Sequence, residues 1–258
     1  MPLPPALFAD IGSPTPRRPG GPSEPPRDDG PVFNAPREVI GVVLATTLVF
    51  LAMRYGGEAV FGWLFEHLAL FPIRFTAEGG PSHDWVATIL SPFGYAFLHA
   101  DWMHLIVNMG LLLGFGTALA RRSGALGFLF LYVISILAGA ALYVGLSPDA
   151  QTPAIGASGG VSGVMGAICQ MGFAQMRGGP LAPAPFHRRG MAMTYSLSFF
   201  LINLVFAIFS DQFGIAWQAH AGGFLAGFLL ASRLDHRQVL ARRKPDEGND
   251  QTDQNRDA

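Results

Sequence analysis

Six apolar stretches close to the length of a membrane crossing constrain this chain more than any other feature: about Val39–Met53, Trp102–Ala120, Ala125–Leu146, Ser158–Met176, Met191–Ser210 and Trp217–Ser232. A spanning helix needs roughly 20 mainly apolar residues, because hydrocarbon offers no partner to an unpaired backbone N–H or C=O. Hydrophobic residues make up 50% of the chain and charged ones 14%, and the charges gather at the two ends and in the short breaks. This pattern predicts an all-α, polytopic membrane protein with six transmembrane helices. The domain organisation that follows is a Pro- and Gly-rich tail over 1–37, a membrane domain over 38–233 and a polar tail over 234–258. Neither tail carries enough apolar surface to fold.

Lys and Arg accumulate on the cytoplasmic side of short loops. With the N-terminus in the cytoplasm, all but Arg54 and Arg74 of the 17 basic residues fall inside, and the short-loop residues Arg121, Arg122, Arg188 and Arg189 agree with the tails. Both termini are therefore expected in the cytoplasm. The first apolar stretch shows no small-residue cleavage site and is expected to be a retained helix. The external loop at about 55–98 is the longest, and its stretch from Ala59 to Phe71 is too short to span comfortably. It reads as an interfacial helix, or alternatively as an extension of the first span.

Several function classes drop out. A net charge of −1 leaves no concentrated basic face for nucleic acid. The single cysteine, Cys169, has no partner within the chain and reports nothing about redox compartment. No HExxH motif and no paired intramembrane carboxylates occur, so metallopeptidase and aspartyl mechanisms lack their groups. No cofactor motif is present, and no cofactor or metal is expected.

Topology brings three polar sites to one depth. The second, fourth and sixth helices all run from outside to inside, so His104 and Asn108, Ser158, and His220 each sit near an outer N-terminal turn. His104 and Asn108 are four apart and project from one helix face, either as an interhelical hydrogen-bond clamp or as part of a reactive site. Ser158 lies in the run Gly156-Ala157-Ser158-Gly159-Gly160, where small-xxx-small spacing suits helix packing. The same glycines also let a substrate backbone approach, and a helix N-terminus presents free N–H groups and a positive dipole end to an oxyanion. Serine is a weak nucleophile unless a base takes its proton. His220 is the base within reach if the stripe formed by Gly223 and Gly227 presses the sixth helix onto the glycine face of the fourth. No Asp or Glu lies in the third to sixth stretches, so the chemistry expected is a Ser–His dyad, with His104, Asn108 and the Ser158 N–H as oxyanion donors.

These residues resemble the rhomboid family of intramembrane serine proteases. His99, His104 and Asn108 fit its H-x4-H-x3-N pattern, Gly156-Ala157-Ser158-Gly159 fits its GxSG, and Ala219-His220-Ala221-Gly222-Gly223 through Gly227 fits its histidine–glycine motif. The resemblance covers about Val39 to Ser232. It implies a six-helix bundle with a water-filled cavity open to the outer face, Ser158 as nucleophile and His220 as general base. It also implies an oxyanion hole from His104, Asn108 and the Ser158 N–H, with His99, Gly156 and Gly159 in support. The implied substrates are transmembrane proteins cut in or near their membrane segment within the lipid bilayer. Two departures stand out. Trp85 is followed by Val86 where many members carry Trp-Arg, so the contact of that arginine is either absent or supplied by Arg74. Ser162 stands where some members have an aromatic residue four positions after the nucleophile, and it is itself an alternative, deeper nucleophile. His67, His83, His187 and His236 fall in loops or at segment ends and read as solvated.

Three functions stay open on the sequence: an active intramembrane serine protease, a silent relative that binds membrane clients, and a small transporter or channel, the last disfavoured because no broken-helix pair or intramembrane ion pair is evident. Chain size and the plain six-helix core suggest a bacterial cytoplasmic membrane, with an organelle membrane as the alternative.

Overall fold

The computed structural model describes residues 35–76, 84–174 and 216–234, together with 193, 194, 196–201, 203, 204 and 208. All belong to the unit Ala35–Ala258. Of the two expected tails, 1–37 and 234–258, residues 1–34 and 235–258 lie outside the described residues, as do His83, His187 and His236. The described residues are mostly helical and contain no strand; their one extended pairing is an isolated antiparallel bridge between Leu70 and Ala154.

Helix α1, Arg37–Tyr55, follows Pro36 and carries Glu38 in its first turn and Arg54 in its last, matching the ends of the helix dipole. It extends the expected first stretch at both ends. Its 19 residues rise about 28 Å, near the thickness of a bilayer's hydrocarbon. Ile40, Leu44 and Leu48, spaced four apart, are turned outward, whereas Val39 and Phe50 are buried. Gly56 and Gly57 break the chain before α2, Glu58–Leu68, so the short apolar stretch is a separate helix and not an extension of the first. Val60, Phe61 and Trp63 are exposed along it.

A second helix within the external loop, α3 at Trp85–Gly94, was not expected from the apolar pattern. Its start is nevertheless written locally: the Asp84 carboxylate accepts from the Val86 and Ala87 N–H groups at 2.9 and 3.1 Å, satisfying donors that the first turn leaves open. His67, read from sequence as solvated, has Nε2 3.5 Å from Asp84 Oδ2, its Nδ1 2.8 Å from the Trp63 carbonyl, and its ring stacked on Trp63. It therefore links α2 to the cap of α3.

Asp101 caps α4, Trp102–Leu111, by accepting from the His104 N–H at 2.8 Å. A π turn at Leu112–Gly116 leads into α5, Thr117–Leu146. The helical path breaks within α5 at Gly124, whose φ of +74° is readily open only to glycine. The break falls between the second and third expected stretches. Helices α6, Ser158–Ala174, and α7, Trp217–Leu234, start where the sequence places them. Among the described residues, two helical runs, Arg37–Tyr55 and Trp102–Leu146, are long and apolar enough to cross a membrane.

Helices α5, α6 and α7 form the packed centre. A Cβ at Gly223 would strike the Gly159 carbonyl oxygen, and one at Gly227 would strike that of Gly163, so the glycine stripe of α7 lies directly on the glycine face of α6. Helix α6 also meets α5, where Gly160 faces the Tyr132 ring and Gly163, at the edge of the α7 contact, faces Ser135.

Candidate active site

The segment leading into α6 is pinned at three points. Leu70 and Ala154 exchange N–H···O bonds of 3.1 and 2.9 Å, the Gly156 N–H donates to the Tyr95 carbonyl at 2.9 Å, and the Ala157 N–H points to His99 Nε2 at 3.4 Å. Gly156 has φ +118°, and a Cβ there would lie 2.6 Å from His104 Nε2. Backbone conformation and space both demand glycine, and the room left by the missing side chain is filled by the His104 ring. The Gly159 Cα is equally crowded: a Cβ would lie 2.7 Å from the Tyr95 hydroxyl, which itself donates to the Ile136 carbonyl at 2.9 Å.

His99 is 2% exposed and packs edge-on to His104, with ring centroids 4.8 Å apart. Burial, reinforced by neighbouring His104, pushes its imidazole down to about 4, so the ring is neutral at physiological pH. Asn108 is buried and donates from Nδ2 to the His104 carbonyl at 2.9 Å. The amide nitrogen carries two hydrogens, so one donor remains beyond this backbone bond.

Ser158 is the first residue of α6, and its N–H belongs to the turn that has no partner within the helix. Its Oγ is 2.8 Å from His220 Nε2 on α7. Ser162, the deeper alternative, is buried one turn further along and is not the hydroxyl that His220 meets. Residues 62 apart in sequence are thus joined by a hydrogen bond at the end of the glycine contact between α6 and α7.

Asn203 is a site residue that sequence reasoning missed. Its Oδ1 lies 3.1 Å from His220 Nδ1, and its Nδ2 donates to the Phe199 carbonyl at 2.9 Å. The usual orienting group, a carboxylate, is absent from the third to sixth apolar stretches. The available signal was different: an asparagine inside an apolar stretch is costly in hydrocarbon and calls for a named partner.

Arg74 is the arginine that the external loop does supply. Its Nη1 donates to the Ala69 carbonyl at 3.2 Å and its guanidinium carbon sits 4.6 Å over the Phe71 ring, tying the turn Pro72–Phe75 to the segment that pairs with Ala154. Among the described residues no group of three or more His, Cys, Asp and Glu side chains is arranged to hold a metal ion.

A helical protein with outward apolar faces and a part-buried Ser–His pair at two helix starts defines a class, the helical membrane proteins with a serine–histidine site. The sequence profile of the rhomboid domain matches residues 83–236, more than half of the chain. The chain belongs to the rhomboid family. It is 39% identical over 87 residues to Rhomboid protein 1, mitochondrial, of Saccharomyces cerevisiae, an alignment covering 32% of this chain and 25% of that protein. The chain therefore spans about a quarter of that relative's length. Family membership and the apolar helices together make it an integral membrane protein, of a family whose members act on transmembrane substrates in the lipid bilayer.

Proposed function

We propose that this chain is an intramembrane serine endopeptidase that cleaves transmembrane-anchored proteins in or near their membrane segment. The observation that carries the reading is the 2.8 Å contact between Ser158 Oγ and His220 Nε2, the reach a general base needs. In the reaction, His220 Nε2 takes the Oγ proton as Oγ attacks the scissile carbonyl carbon. The negative charge forms on the carbonyl oxygen, held by the Ser158 N–H, His104 and the second Asn108 amide hydrogen. The imidazolium returns its proton to the leaving amine as the C–N bond breaks. Water then attacks the acyl-serine with His220 again as base, releasing the acid and restoring Oγ–H.

The six-span arrangement, with both termini cytoplasmic, tails over 1–37 and 234–258 and a membrane domain over 38–233, belongs to this same proposal. It rests on the hydropathy and charge pattern. The bacterial cytoplasmic membrane suggested by chain size draws no support from the yeast relative, which is mitochondrial by name. The test is cleavage of a transmembrane substrate by the full chain in liposomes, alongside labelling by a fluorophosphonate. Ser158→Ala and His220→Ala should each abolish cleavage, and Ser158→Ala should abolish labelling, in folded protein. Retained cleavage in either variant sinks the proposal.

A further inference from the structure

We propose that Asn203 is a neutral positioning residue that holds His220 in the tautomer able to take the Ser158 proton, turning the expected dyad into a Ser158–His220–Asn203 relay. The inference rests on the Ser158–His220 reading above.

The amide's orientation is dictated by its partners. Nδ2 donates to the Phe199 carbonyl at 2.9 Å, an acceptor that cannot face an amide oxygen, so Oδ1 must be the atom 3.1 Å from His220 Nδ1. An oxygen there accepts only. Nδ1 must then carry the ring proton, which leaves the lone pair on Nε2, the nitrogen 2.8 Å from Ser158 Oγ. The other tautomer would set a lone pair against Oδ1 and an N–H against the hydroxyl's oxygen, leaving no base for the serine proton.

A second contact fixes the register of α7 against the segment that carries Phe199 and Asn203, both of which are helical. The Phe199 and Phe224 rings stack with centroids 4.2 Å apart and planes within 19°. Phe199 is four residues before Asn203 and Phe224 four after His220, so each ring shares a helix face with its polar neighbour. The stack and the amide–imidazole bond thus join the same faces one turn apart. The choice of amide over carboxylate follows from the solvent: no Asp or Glu occurs in α4, α5, α6, α7 or the 193–208 segment, and an unpaired buried anion is far costlier than a satisfied amide. A thiol protease that orients its histidine with asparagine uses the same neutral solution.

The experiment uses full-length protein in liposomes with a transmembrane substrate, comparing Asn203→Ala, the volume-matched Asn203→Leu and the acceptor-retaining Asn203→Asp. Removing the acceptor from a buried donor should lower kcat roughly tenfold to a hundredfold with KM unchanged, and should slow fluorophosphonate labelling in proportion. Asn203→Asp should recover activity above the alanine variant. Nitrogen-15 NMR of histidine-labelled protein should show His220 as the Nδ1–H tautomer in wild type and as a mixture in Asn203→Leu. A merely structural role would change thermal stability without moving the tautomer. Active wild type with folded Ala and Leu variants of unchanged kcat overturns this inference alone, as does an Nε2–H tautomer in wild type. Wild type that neither cleaves nor labels overturns the proposed function, and the role of Asn203 with it.

Discussion

Gly227→Ala tests whether the glycine contact between α6 and α7 sets the distance across the candidate site. Gly227 lies seven residues beyond His220, about 10 Å down the helix axis, and so is remote from any substrate at Ser158. A Cβ there would lie 2.8 Å from Gly163 Cα and closer still to the Gly163 carbonyl oxygen, whereas carbon atoms pack comfortably at about 3.5 Å or more. The obstacle is backbone on both sides, with no flexible side chain to swing away. The helices must therefore part by roughly 1 Å, and a displacement of that size at a reacting pair is able to cost about a hundredfold in rate. Overpacking of this kind destabilises by about 1–3 kcal/mol. The 2.8 Å Ser158–His220 contact would open beyond hydrogen-bond reach. Substrate cleavage in liposomes and thermal unfolding in detergent measure the two effects, with Gly41→Ala as the control, since a Cβ at Gly41 meets nothing within 4 Å. Gly227→Ala as active and as stable as Gly41→Ala would refute the idea that the glycine faces hold the site together.

Three further outcomes are expected. Gly156→Ala combines a φ of +118° with a Cβ 2.6 Å from His104 Nε2, so it should displace His104 and lower kcat by about tenfold or more, with about 1–3 kcal/mol of backbone strain visible in thermal unfolding; unchanged kcat would exclude His104 from the site. His99 is held near 4 when folded against an ordinary 6.5, so the unfolded chain binds more protons between those values and stability should fall as pH drops from 6.5 toward 4. At pH 5 the loss is about 2 kcal/mol, and His99→Gln should flatten this part of the pH–stability curve; an equally steep variant curve refutes the assignment. The Ala87 and Val86 N–H groups hold the Asp84 carboxyl below its ordinary 3.8, chiefly through Ala87, so the α3 cap should persist above that value and be lost as pH falls below it. Asp84→Ala should speed hydrogen exchange at the first amides of α3 already at pH 7, and equal exchange rates in variant and wild type would remove Asp84 from the cap.

Much of the helical framework was legible because membrane burial writes itself into linear patterns. The breaks at Gly56–Gly57 and Gly124 and the starts of α4, α6 and α7 coincide with glycine, a capping Asp or the first residue of an apolar run. Helix α3 is hard to read from sequence because its ten residues are few and contain Pro92, although Asp84 ahead of an apolar run is a start signal. His67 was misjudged because its partner, Asp84, lies across the loop, and only tertiary contact brings the two to 3.5 Å.

What the sequence determined alone was the identity of the chemical groups: a glycine-flanked serine, a histidine ahead of a glycine stripe, and His104 with Asn108 on one helix face. Residue type and spacing along one helix can be read without any knowledge of contacts. What only the tertiary structure decided was pairing. The choice of Ser158 over Ser162, the His104 ring over Gly156, and Asn203 on His220 Nδ1 all depend on how far one helix slides and rotates against another. Glycine makes that approach possible by removing the side chain, and for the same reason it leaves the register to be set by neighbours far away in the sequence.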